Sequence, residues 1–220
     1  PLTVSPPERA HAGALPGPGG RTAGGRIWDF LLSSPPEADG GPAHAARLRW
    51  RLLGISLLRF ATTFTANGLV IATVSPYVAE LAQADRTAFG VPIVVLTLAG
   101  LLVGARWLSD LALSLPLGHL SDRIGRRTTV IAGMAVTLGA LALIVGSNTA
   151  EALLAGLPLL FVSNVAVSVA LDAEMGESVP DEARAAALGR YTTWLDLGAA
   201  LGPFAGLPVA EWIGFRAAYL

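Results

Sequence analysis

The sequence contains no cysteine and no lysine, and ionisable side chains are scarce, with Asp, Glu and Arg making up 14% of its 220 residues. Without cysteine there is no disulfide framework and no thiolate metal site, and the redox compartment stays open. The three histidines, His11, His44 and His119, are dispersed, which leaves no metal-ligand spacing. No catalytic constellation, no phosphate-cradling glycine loop and no surface of interleaved basic and aromatic residues can be read. An enzyme, a cofactor, a bound metal and a nucleic-acid partner are therefore not expected. What is abundant is apolar: 53% of residues are hydrophobic and mean hydropathy is +0.58. That balance excludes an ordinary soluble domain and predicts an all-α, polytopic membrane protein. The net charge of -1 carries little meaning in such a chain, because the placement of charges decides.

Residues 1–46 are rich in Pro, Gly and Ala, including Pro16-Gly17-Pro18-Gly19-Gly20 and Ser33-Ser34-Pro35-Pro36. This composition cannot bury enough apolar surface to order itself, so a disordered tail is expected. No unbroken apolar core of signal-peptide length occurs in it. Ile27-Trp28-Asp29-Phe30-Leu31-Leu32 is its one sticky spot, either a membrane-interface contact or chance composition. A chain that starts at Pro1 without Met reads as a fragment or a processed product.

The transmembrane domain is expected over 47–220. Spanning helices need roughly 20 apolar residues, and five stretches supply them: about 52–77, 92–117, 129–145, 152–171 with Pro158 breaking it, and 188–209. The acidic connection after Leu171 contains Ser178-Val179-Pro180-Asp181-Glu182, which has the Pro and acids of a helix start. A sixth helix is expected to begin near Gly214. Arginine placement orients the set. Arg47, Arg49, Arg51, Arg123, Arg126, Arg127, Arg184 and Arg190 flank one side, and only Arg86 and Arg216 flank the other. The positive-inside rule then puts the amino terminus in the cytoplasm, and a multi-pass protein of the plasma membrane is expected.

The most informative stretch is the charged run Gly118-His119-Leu120-Ser121-Asp122-Arg123-Ile124-Gly125-Arg126-Arg127, set between two apolar segments as a cytoplasmic turn. Its Gly118, Asp122, Arg123, Gly125, Arg126 and Arg127 resemble the loop signature of major facilitator superfamily transporters, with Ser121 where that family usually has Gly or Ala. Gly198, Gly202, Pro203 and Gly206 are similar to the fifth-helix motif that the superfamily shows mainly in proton-coupled drug exporters, although Leu207 replaces its last glycine. Independently of the family, glycines every four residues make a groove for close helix approach and Pro203 permits a bend; an ordinary packing face reads the same way.

Polar groups inside the spans are costly and usually face a cavity or a partner. Counting ~1.5 Å per residue, Arg59 and Asp110 lie level, roughly 12 Å in from the cytoplasmic edge, and Arg106 lies roughly 18 Å in. Asn164 and Asp196 fall near the same layer by the same count, while Thr62, Thr63, Thr65 and Asn67 have groups that can hydrogen-bond either a substrate or their own helix. The third span brings no such group. The resemblance implies the same division, with the first, second, fourth and fifth helices around the pathway. Arg59, Asn67, Arg106, Asp110, Asn164 and Asp196 are thus the expected substrate or proton pathway, with Arg106 and Asp110 paired one turn apart. Snorkelling of Arg59 or Asp196 to the interface, and a purely structural Arg106–Asp110 pair, are the competing accounts.

The resemblance implies the amino-terminal half of a secondary transporter of twelve or more helices, in which Asp122 and its arginines latch the two halves. Its partners would be a small-molecule solute, protons, the lipid bilayer and the missing carboxy-terminal half. Its activity would be alternating-access transport, in the form of proton-coupled efflux. A facilitator or symporter for a sugar or organic anion, and a membrane protein that carries no solute, remain the alternatives.

Overall fold

The computed structural model describes residues 41–84, 92–147 and 149–214. Most of the expected tail, the turn after Ala84 and the expected sixth helix beyond Gly214 lie outside these residues. Among the described residues there is no strand. α1 (Gly41–Thr63) runs into a π-helical segment (Phe64–Val70) and on into α2 (Ile71–Ala84). α3 spans Pro92–Ile124, α4 Arg126–Ser147, α5 Ala150–Glu177 and α6 Asp181–Ile213. The chain is an all-α membrane protein: among the described residues Ala43–Glu80, Arg126–Ser147 and Glu151–Glu177 are long and apolar enough to cross a bilayer.

Several helices extend past the expected ends. α1 begins at Gly41 and takes up residues 41–46, which the composition assigns to the tail. Pro42 costs nothing in a first turn, whose N–H groups have no intrahelical partner, and Ala43, Ala45 and Ala46 are strong helix formers. Neither Pro76 nor Pro158 ends its helix. Each removes one backbone hydrogen bond, but Tyr77 and Val78 after the first, and Leu160 and Phe161 after the second, are buried in the core and hold the following turn. α5 also continues six residues past Leu171 to Glu177. At 33 residues each, α3 and α6 are about 50 Å long, longer than a ~30 Å hydrocarbon layer.

α5 is the centre of the bundle and α4 its outer member. In α5, 61% of the apolar window is buried, against 28% in α4, and α4 packs chiefly on α5. Gly133 of α4 meets Val167 and the Ser163 carbonyl oxygen, while Gly156 of α5 meets Ile144, so the two helices lie almost backbone to backbone. Two apolar clusters divide the interior. One gathers Val70, Val74, Tyr77, Leu102, Ile144, Leu157 and Phe161. The other gathers Leu52, Ile55, Val167, Leu171, Met175, Ala187 and Tyr191 toward the charged end. Between them on α5 lie Ser163, Asn164 and Ser168, buried and polar.

α6 seats its glycines against the first helix. A Cβ at Gly198 would stand 2.6 Å from the Phe60 carbonyl oxygen, and one at Gly68 would stand 2.6 Å from the Gly202 Cα. Gly206 faces Leu69. The π-helical segment is where this approach is tightest, and a widened turn there sets Gly68 against Gly202.

Candidate functional site

The polar layer between the two apolar clusters resolves into two centres. The first is built around Arg106 of α3, whose side chain is 4% exposed. Its Nε donates to Asn67 Oδ1 at 3.0 Å and its Nη2 to Asn164 Oδ1 at 3.1 Å. Nη1 stands 2.5 Å from Asp110 Oδ2 as an ion pair, without the alignment of a hydrogen bond. Asn164 is itself anchored, donating through Nδ2 to the Thr62 carbonyl oxygen at 3.3 Å. The Phe161 ring lies 6.0 Å from the guanidinium carbon. Three elements therefore converge on one cation: the π-helical segment, α3 and α5. Within the pair the carboxylate is the reachable member, since the Asp110 side chain is 37% exposed. Breaking such a pair inside a membrane is costly.

The second centre is built around Arg59 of α1, 12% exposed. Its Nη1 donates to Ser168 Oγ. Asp172 Oδ1 stands 3.7 Å from Nε, beyond hydrogen-bond range, and accepts a 2.5 Å bond from Tyr191 of α6. Arg59 Nε has no hydrogen-bond partner. Asn164, Ser168 and Asp172 recur every four residues, a single polar stripe down α5 that faces both arginines in turn.

The charged run is helical almost throughout. α3 continues to Ile124 and α4 starts at Arg126, so the expected ten-residue turn contracts to Gly125 alone. With φ +92°, Gly125 takes a left-handed conformation that closes α3 and opens α4, its N–H donating to the Ser121 carbonyl oxygen at 2.9 Å. Gly118 is inside α3, where a Cβ would meet Val169 at 3.3 Å. Arg126 pairs with Asp122 at 3.6 Å and with Glu177 at the end of α5. Arg51 pairs with Glu174, and Arg184 donates from Nε to the Gly176 carbonyl oxygen at 3.0 Å. α1, α4 and α6 are thus tied by arginine to the carboxy-terminal end of α5, where unsatisfied carbonyls and acids favour cations. Arg123 and Arg127 are exposed.

Of the residues expected on the pathway, Asn67, Arg106, Asp110 and Asn164 meet in one centre, and Arg59 belongs to the other. Asp196 joins neither; it is exposed on α6. Gly198, Gly202 and Gly206 line the α6 contact with the first helix, and α6 continues unbroken through Pro203. Ser168, Asp172 and Tyr191 were not singled out by the sequence. The end of the apolar run places Asp172 in a connection, yet its spacing of four and eight from Ser168 and Asn164 is the signal that sets it on the same helical face.

A family model described as Major Facilitator Superfamily matches residues 55–220. No curated protein and no solved structure matches the chain.

Proposed function

The chain belongs to the major facilitator superfamily, and from that premise we propose that it moves a small solute across the plasma membrane by alternating access, as a proton-coupled exporter. Its membership makes it a membrane transporter in general; the mode of coupling and the direction are the proposal. The observation that carries the reading is the Arg106 centre, a buried cation held by neutral amides on two sides and by a partly open carboxylate on the third. Protonating Asp110 releases its hold on Arg106, and that is the kind of local charge change that biases a bistable helix packing. Asp196, exposed on α6, is the second candidate coupling carboxylate. Arg59, Asn67 and Asn164 line the same route.

In this reading the residues before Leu52 and the Gly118–Arg127 run face the cytoplasm, following the arginine bias. A second helical half completes the pathway, and Asp122, Arg123, Arg126 and Arg127 sit where the halves meet. Reconstitution in proteoliposomes tests it. Solute flux with and without an imposed pH gradient is compared among wild type, Asp110→Asn and Asp196→Asn. Gradient-driven flux that one substitution abolishes, with gradient-free exchange intact, is the expected result. Flux indifferent to the gradient in all three proteins removes proton coupling.

A further inference from the structure

The two buried guanidinium groups differ in how completely they are engaged. Arg106 donates hydrogen bonds from Nε to Asn67 and from Nη2 to Asn164, while its Nη1 is ion-paired at 2.5 Å with Asp110 without a hydrogen bond. Arg59 has one firm hydrogen bond, from Nη1 to Ser168. Its opposite edge is unsatisfied, with Nε buried and lacking a hydrogen-bond partner and Nη2 making no hydrogen bond among the described residues. Among the described residues the carboxylate paired with that edge is Asp172, 3.7 Å from Nε. What keeps it there is Tyr191, whose hydroxyl holds Asp172 Oδ1 at 2.5 Å and is itself fixed, because Tyr191 is buried between α5 and α6. Asp172 is 51% exposed, so water stabilises its charge without help from Arg59.

We propose that the unsatisfied Nε and Nη2 edge of Arg59 is an anion-binding subsite for the carboxylate of an organic anion, with Tyr191 as the positioning residue that holds Asp172 off it. The proposal rests on the transport reading for its purpose and names a substrate class for it. Two parallel N–H groups on one side of a guanidinium match the two oxygens of a carboxylate, a geometry that a single ammonium cannot offer. An unsatisfied N–H on a buried cation is costly, and an incoming carboxylate removes that cost. Asp172 acts as a loose placeholder. It partly neutralises Arg59 while the site is empty and, held at 3.7 Å, leaves the hydrogen-bonding positions of that edge unfilled. Arg106 offers no such edge, because its Nε and Nη2 already donate to Asn67 and Asn164 and its Nη1, which makes no hydrogen bond, stands against Asp110 of its own helix.

Binding to the purified protein tests this apart from transport, with benzoate as the probe carboxylate and benzamide as its uncharged counterpart of the same shape. Calorimetric titration of wild type is expected to detect benzoate and not benzamide. Arg59→Lys keeps the charge, loses the fork, and weakens benzoate about tenfold. Asp172→Asn removes the competing charge and tightens benzoate by about threefold to tenfold, whereas Tyr191→Phe frees Asp172 to close on Arg59 and weakens it by a similar factor. Equal binding of benzoate and benzamide overturns the proposal. So does an Asp172→Asn protein that binds benzoate no better than wild type, and this variant answers the question even if substitution at Arg59 prevents folding. Benzoate binding without any solute flux in proteoliposomes would leave the subsite standing and remove the transport reading instead.

Discussion

Arg106 and Asp110 stand one turn apart on α3 and meet at 2.5 Å, the guanidinium sealed in the bundle and the carboxylate half open. The asymmetry predicts how the pair responds to substitution. Asp110→Asn leaves a buried cation with amide partners only and should destabilise the folded protein by about 1–3 kcal/mol, less than a fully buried pair would lose. Neutralising both residues, Arg106→Gln with Asp110→Asn, removes the uncompensated charge. The double variant should therefore unfold at a higher temperature than Asp110→Asn alone, as read by thermal denaturation in detergent.

Asn164 supports Arg106 in a different way, by accepting from Nη2 while donating to the Thr62 carbonyl oxygen. Asn164→Leu fills the space but leaves the buried Arg106 Nη2 without its acceptor. A loss of about 2–4 kcal/mol is expected, against a small change for Thr192→Ala, whose hydroxyl is exposed and bonds only its own helix at Gly189. Side-by-side melting curves decide it.

The Arg106–Asp110 pair was legible because spacing of four on a helix is a property of the chain itself. Counting rise per residue also places Asn164 within a few residues' rise of Arg106, and the two side chains meet. It could not say which way each residue turns, and for that reason Arg59 was grouped with Arg106 although it meets Ser168 and Asp172 instead. Asp196 lies near the same depth but is exposed and meets neither arginine. Asp172 was missed for a related reason. The span was closed at Leu171 where the apolar run stops, yet α5 continues to Glu177 because Met175 and Val179 go on packing against Leu52, Ala183 and Ala187. The π-helical segment left no mark in the composition; only the contact between Gly68 and Gly202 explains its position.

That glycine contact makes a steric prediction. A methyl group at Gly68 would lie 2.6 Å from the Gly202 Cα, and backbone cannot move aside as a flexible side chain does. Gly68→Ala should cost at least about 3 kcal/mol, at the upper end of overpacking penalties. Gly189→Ala, on the same helix as Gly202 but with nothing within 4 Å of the new methyl, should gain up to about 1 kcal/mol from helix propensity alone. Opposite shifts in melting temperature are the expected outcome, and shifts of the same sign would show that the α6 contact is looser than this geometry.

Gly125 allows a conformational effect to be separated from a steric one. It is the single residue between α3 and α4, its φ is +92°, and the nearest atom to an added Cβ is the Thr128 hydroxyl at 3.8 Å, an ordinary contact. Gly125→Ala therefore meets no obstacle in space; its cost, about 1–2 kcal/mol, comes from forcing an L-residue into a left-handed backbone. Gly125→Asn should recover part of it, because asparagine tolerates that region better than alanine. The reversal at Gly125 also fixes where Asp122, in the last turn of α3, stands relative to Arg126 at the start of α4. If the alanine variant relaxes by extending one helix through the break, Arg126 rotates away from both Asp122 and Glu177, and the penalty then falls when Glu177 is removed, because the tie it would break is already gone. Comparing Gly125→Ala in wild-type and Glu177→Gln backgrounds measures this. Equal penalties mean that the strain stays local to Gly125, and unequal ones mean that the turn and the arginine tie form one unit.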